Sequence, residues 1–114
     1  MNIDYERIGS RIKFRRVKNG VSQEELADQV GVSRVHISCI ERGTRIPSLE
    51  AIISIANSLN VSTDELLSDS LFIAKHREKQ QYDDLLDCTQ EEIEILLQSL
   101  SAIKNILRSY QISK

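Results

Sequence analysis

Apolar positions fall into five short runs between Ile8 and Leu67 and one long run from Ile93 to Tyr110. The first run, Ile8, Ile12 and Val17, gives one buried stripe and predicts a helix from about Asp4 to Asn19, ended by Gly20. Two short helices follow. Ser22 and Glu25 form a capping box for the first of them. Ala27 is small where the two helices would cross, and Gly31 sits where the chain must reverse. Val30, Val32, Ile37 and Ile40 can bury the inner face of the pair. Ser33 suits the N-cap of the second helix and Gly43 a left-handed C-cap. Pro47 and Ser48 open a fourth helix over 49–59. Its Leu49, Ile52, Ile53, Ile55, Ala56 and Leu59 leave little polar surface, which predicts a central position, with Asn60 at its end. Ser62 and Glu65 propose a second capping box and a short fifth helix over 64–67.

Residues 68–80 lack a clean period and carry mixed charge, so most of this stretch reads as a linker, with Leu71, Phe72 and Ile73 expected to dock somewhere. Tyr82, Leu85 and Leu86 suit one or two helical turns. Thr89 and Glu92 make a further capping box. Beyond it Ile93, Leu96, Leu100, Ile103, Leu107 and Tyr110 recur at alternating steps of three and four, the seam of a coiled coil. Leu97 and Ile106 widen that stripe. Such a helix cannot hide its apolar face alone. It packs either back onto its own domain or the 82–86 segment, or onto the same helix of a second copy of the chain, and the last arrangement is favoured. The expected organisation is a domain over 1–68, a linker over 69–88 and a dimerisation helix over 89–114.

Composition narrows the class. The chain has 114 residues, 40% hydrophobic and 28% charged, as expected of a folded soluble protein with an aliphatic core. No apolar run is long enough to span a bilayer, and the N-terminus has no apolar segment of the secretory kind. A cytoplasmic protein without membrane association is therefore expected. Cys39 and Cys88 are too few and too far apart for a disulfide scaffold or a zinc site. The net charge of −2 argues at first against nucleic acid, but distribution matters more than the sum. Arg7, Arg11, Lys13, Arg15, Arg16 and Lys18 are joined by Arg34, Arg42 and Arg45 in the first half. Asp83, Asp84, Asp87, Glu91, Glu92 and Glu94 crowd the second.

The stretch SQEELADQVGVSRVHISCIERGTR, residues 22–45, carries the functional signal. Helix, tight turn and helix at this spacing let the second helix enter a DNA major groove. With Ile8, Ile12 and Arg15 before it, and Pro47-Ser48-Leu49, Leu59, Val61 and Asp64-Glu65-Leu66-Leu67 after it, residues 7–67 resemble the Cro/C1-type helix-turn-helix family, also called the xenobiotic-response-element family. The resemblance implies an all-α fold: a five-helix lambda-repressor-like DNA-binding domain, here followed by a C-terminal helical dimerisation segment.

The resemblance also implies roles. Arg34, Val35, Ser38 and Cys39 would face base edges, and their spacing independently places them on one helical face, with Ile37 and Ile40 on another. Arg34 can offer two donors to guanine O6 and N7, Val35 can touch a thymine methyl, and Ser38 can donate or accept. Phosphate or groove-edge contacts are expected from Gln23, Ser33, His36, Arg42, Thr44 and Arg45, with the helix N-terminus at Gln23 adding its amides. Arg11 and Arg15 either join them or form ion pairs on a solvated face, Glu41 being the partner considered for Arg15. Oxidation of Cys39 would obstruct the groove, but a small contact residue is the simpler reading.

The function expected is a homodimeric transcriptional regulator, a repressor reading a palindromic operator in double-stranded DNA. Two alternatives use the same fold: an antitoxin whose acidic tail masks a toxin, and a protein-interaction module without DNA. An enzyme is not expected, since no glycine-rich phosphate loop or metal cluster is present and His36 and His76 lack triad partners. No cofactor is expected. Regulation would act through a protein antagonist competing for the tail.

Overall fold

The computed structural model describes residues 2–71 and 85–112. These residues form α1 (Tyr5–Lys18), α2 (Gln23–Val30), α3 (Arg34–Arg42), α4 (Leu49–Leu59), α5 (Thr63–Leu66), a 3-10 turn (Ser68–Ser70) and α6 (Gln90–Ile112). The architecture is all-helical, as the period of the apolar positions requires. The expectations for Phe72, Ile73, His76, Tyr82, Asp83 and Asp84 lie outside the described residues.

Side-chain caps set the helix starts. Asp4 accepts from the Arg7 amide at 3.0 Å, and Ser33, Ser48 and Ser62 each accept from the amide three residues on. Ser22 with Glu25, and Thr89 with Glu92, close reciprocal capping boxes. The second half of the box expected at Ser62 is not made there, because the Glu65 carboxylate turns to Arg15.

Two apolar clusters hold the helices. The larger gathers Ile8 and Ile12 of α1, Leu26 and Ala27 of α2, Ile37 and Ile40 of α3, four residues of α4 and Leu66. The smaller lies on the opposite side of α1, where Phe14 and Val17 meet Leu86 and Ile93, with Leu85, Cys88 and Leu97 at its edge. Helical geometry requires this split. Val17 is nine positions from Ile8, about half a turn out of phase, so it cannot share the Ile8–Ile12 stripe. The expectation that it would is corrected. Ile93 is corrected too. It was expected in the dimer seam but is fully buried within its own chain. The second face of α1 must be covered, and the first turn of α6 covers it.

Helix α4 is less central than expected. Ile52, Ile55, Ala56 and Leu59 are buried, but Leu49 is 77% and Ile53 45% exposed. Leu49 overhangs the core at the first turn, and Ile53 lies about 100° around the helix from Ile52.

The crossing of α1 over the end of α3 is the tightest contact. A Cβ at Gly9 would stand 2.4 Å from the carbonyl oxygens of Ile40 and Glu41. Gly43, at φ 76°, faces the backbone of Glu6, 2.7 Å from where its own Cβ would be. Neither backbone can yield without moving a helix. Near the same end of the domain, Asp69 of the 3-10 turn receives two bonds from Arg11, at 2.6 and 3.1 Å, and a third from Arg7 at 3.4 Å.

Gly9→Ala should therefore destabilise the chain by about 1–3 kcal/mol or more, read as a lower urea midpoint with an unchanged slope. Asp69 makes a pH prediction. Partial burial pushes its carboxyl upward, but the Arg11 hydrogen bond and the Arg11 and Arg7 charges outweigh this and hold it below the ordinary 3.8. Its stabilisation is thus full above the unfolded value and is lost as pH falls through the lower folded value. In urea titrations from neutral pH into that acid range, wild type should lose more stability than Asp69→Asn. Parallel curves would refute the assignment.

Candidate nucleic-acid interface

The helix-turn-helix is built from its turn outward. The amides of Gly31 and Val32 both reach the Ala27 carbonyl, at 2.9 and 3.0 Å, closing the end of α2. Ser33 then starts α3 in a new direction. Leu26, Ala27, Ile37 and Ile40 are buried between the pair and α1, so the opposite face of α3 is left to solvent.

On that face Arg34 and Val35 are exposed, Val35 by 63%, and Ser38 and Cys39 are half-buried beside them. Arg34 Nη1 donates to Gln23 Oε1 at 3.2 Å, which joins the starts of α3 and α2. The Nε and Nη2 edge of the guanidinium takes no part in this bond, and such an edge suits the paired acceptors of guanine. Arg42 folds back along α3, with Nε 3.4 Å from the Ser38 carbonyl and Nη2 3.4 Å from Cys39 Sγ. Thr44 donates its hydroxyl to the Cys39 carbonyl at 3.2 Å and helps close the end of the helix. The Ser33 hydroxyl accepts from the His36 amide. His36 is half-buried, and Arg45 is exposed in the loop before Pro47. Of the residues expected at the interface, Gln23 and Arg34 are thus joined directly, and Arg42 and Thr44 fold back on the end of α3.

The cations of α1 are placed differently. Arg11 is buried against Asp69, and Arg15 pairs with Glu65, its Nε 2.9 Å from Oε1. Both sit in internal ion pairs, and the Glu41 partner considered for Arg15 is corrected. Glu41 belongs to Arg16 instead. Arg16 Nε and Nη2 reach its two carboxylate oxygens at 2.7 and 3.1 Å, and both residues are almost wholly buried. The pair was missed in the sequence, although a signal existed. Arg16 lies four residues after Ile12, on the buried stripe of α1, and a charge there needs a partner. The same pair receives Gln23 Nε2 at 3.0 Å.

On α6, Leu96, Leu100, Ile103, Leu107 and Tyr110 are exposed along one side, and Ile95 and Ile106 extend the apolar arc. Among the described residues no group of His, Cys, Asp and Glu could hold a metal, and no helix is long and apolar enough to cross a membrane.

A family model described as helix-turn-helix matches residues 12–66. The HTH-type transcriptional regulator SinR of Bacillus subtilis (strain 168) is 36% identical over 87 residues, 75% of this chain and 72% of SinR. The stretch matched in ImmR, an HTH-type transcriptional regulator of the same strain, is 37% identical and spans 53% of this chain and 47% of ImmR, about half that relative. The crystal structure of the restriction-modification controller protein C.AhdI from Aeromonas hydrophila superposes with a TM-score of 0.54 at 36% identity, over 55% of this chain and 96% of that one. The SinR/SinI protein complex gives 0.53 at 27% identity, over 86% of this chain and 98% of its counterpart.

Proposed function

This chain belongs to the Cro/C1-type helix-turn-helix family of DNA-binding transcriptional regulators, and on that premise we propose that it is a homodimeric, sequence-specific repressor reading a palindromic operator. The observation that carries the reading is the placement of Arg34 at the exposed start of α3, tied to Gln23 at the start of α2. With α3 in the major groove, Arg34 donates to a guanine, Val35 meets a thymine methyl, and Ser38 and Cys39 contact neighbouring edges. The backbone amides at the N-terminus of α2, from Gln23 onward, take one phosphate. Ser33, His36, Arg42, Thr44 and Arg45 line the backbone on either side.

One protomer offers few base contacts, and two-fold symmetry doubles them across half-sites about one helical turn apart. The exposed α6 face from Leu96 to Tyr110 supports dimerisation through the tail. Ile93 is not part of this interface, since it already closes the smaller core. The same face suits a protein antagonist that competes for it; SinR, to which this chain is similar, has been captured in a complex with SinI.

Selection of bound sequences from a random duplex library, followed by a salt titration on the winner, tests the reading. A palindromic consensus with steep salt dependence is expected. Arg34→Ala should abolish the preference at one base pair per half-site, about 1–3 kcal/mol, with little change in salt slope. No enrichment over non-specific binding would overturn the proposal. For the tail, Leu100→Glu with Ile103→Glu should give a folded monomer with much weaker operator binding. A variant that stays dimeric in light scattering would rule out this interface.

A further inference from the structure

The groove-facing arginine and the tail helix are joined by an unbroken series of hydrogen bonds. Arg34 Nη1 donates to Gln23 Oε1 at 3.2 Å, and Gln23 Nε2 donates to Glu41 Oε1 at 3.0 Å. Glu41 is gripped by Arg16. Arg16 Nη2 also donates to Gln90 Oε1 at 3.0 Å, while its Nη1 donates to the Val21 carbonyl at 2.9 Å. Gln90 is the first residue of α6, docked on the domain through Ile93 against Phe14 and Val17.

The direction of each bond is forced. An ionised carboxylate only accepts, so Glu41 draws the amide nitrogen of Gln23 inward and leaves its oxygen outward for Arg34. Guanidinium only donates, so Arg16 draws the oxygen of Gln90, whose nitrogen turns to Glu94 at 3.2 Å. Arg34 itself is a long, exposed side chain with many rotamers. Holding it before DNA arrives removes part of the entropy that binding would otherwise cost.

We propose that Gln90 is a positioning residue for base reading: by fixing the Arg16 guanidinium it sets Glu41, Gln23 and so Arg34, which makes docking of the tail helix a determinant of DNA specificity. The inference rests on the DNA-reading function proposed above. Bonds sharing one network couple energetically, so a change at one end is felt at the other. A partner that lifts the start of α6 would then weaken base preference as well as separate protomers.

The test uses the full chain carrying Gln90→Met, which keeps the side-chain length and removes the acceptor. Gln90 is exposed and outside both cores, so the variant is expected to fold, with a melting point lowered only by the one lost bond to Arg16. Affinity is measured for the operator selected by wild type and for a copy altered at the base pair that Arg34→Ala ceases to discriminate. The expected result is a roughly fivefold loss on the operator, a smaller loss on the altered copy, and an unchanged salt slope. In an Arg34→Ala background, Gln90→Met should cost nothing further. Wild-type-like binding by Gln90→Met, or an equal loss in both backgrounds, would overturn the inference while leaving the DNA-reading function intact. If wild type itself selects no sequence, that function fails and this inference with it.

Discussion

The ion pair between Arg16 and Glu41 is the constraint around which the domain is arranged. Two charges buried this completely carry a large desolvation cost, offset only when the geometry is good and the remaining polar atoms are satisfied. Here Arg16 uses Val21 and Gln90 for its other donors, and Glu41 accepts from Gln23 as well. Four separate parts of the chain thus converge on one pair. Removing either member would leave a buried charge alone, at about 3–5 kcal/mol. That cost locks α1 against the end of α3 in a single register, the register at which Gly9 lets the two backbones touch.

The same pairing logic divides the cations of this chain, whose net charge is −2, into paired and exposed sets. All four arginines on α1 pair with carboxylates of their own protein: Arg11 and Arg7 share Asp69, Arg15 meets Glu65 and Arg16 meets Glu41. Arg34 and Arg42, at the two ends of α3, and Arg45 in the loop after it are exposed. On DNA, three such cations would give modest non-specific affinity, and the doubled site of the proposed dimer would raise it steeply because counterion release scales with the number of phosphates neutralised.

Helix α6 divides its length between two tasks. Its first turn covers the outer face of α1, and its remaining turns carry apolar residues into solvent. An element fixed firmly at one end and exposed along the other holds its free face at a defined direction from α3. For a two-fold complex this direction is what relates the two reading helices to each other.

The local features were legible in the sequence. Serine and threonine caps, the glycine turn at Gly31 and the period of the apolar residues defined five short helices and a long one, with starts correct to within about a residue, because each depends on atoms only three or four positions apart. The outward set on α3 was legible for the same reason, since helical spacing alone separates Arg34, Val35, Ser38 and Cys39 from Ile37 and Ile40. Partners across the chain were not. Val17 was placed on the wrong face of α1, Glu41 beside the wrong arginine, and Ile93 in an interface between chains. Arg16–Glu41, Arg15–Glu65 and Arg11–Asp69 join residues 25, 50 and 58 positions apart, and Ile93 reaches still further back to Phe14. Local spacing tells which residues share a face. Which faces meet, and hence which charge finds which partner, is decided only when the helices pack and the buried charges must be paired together.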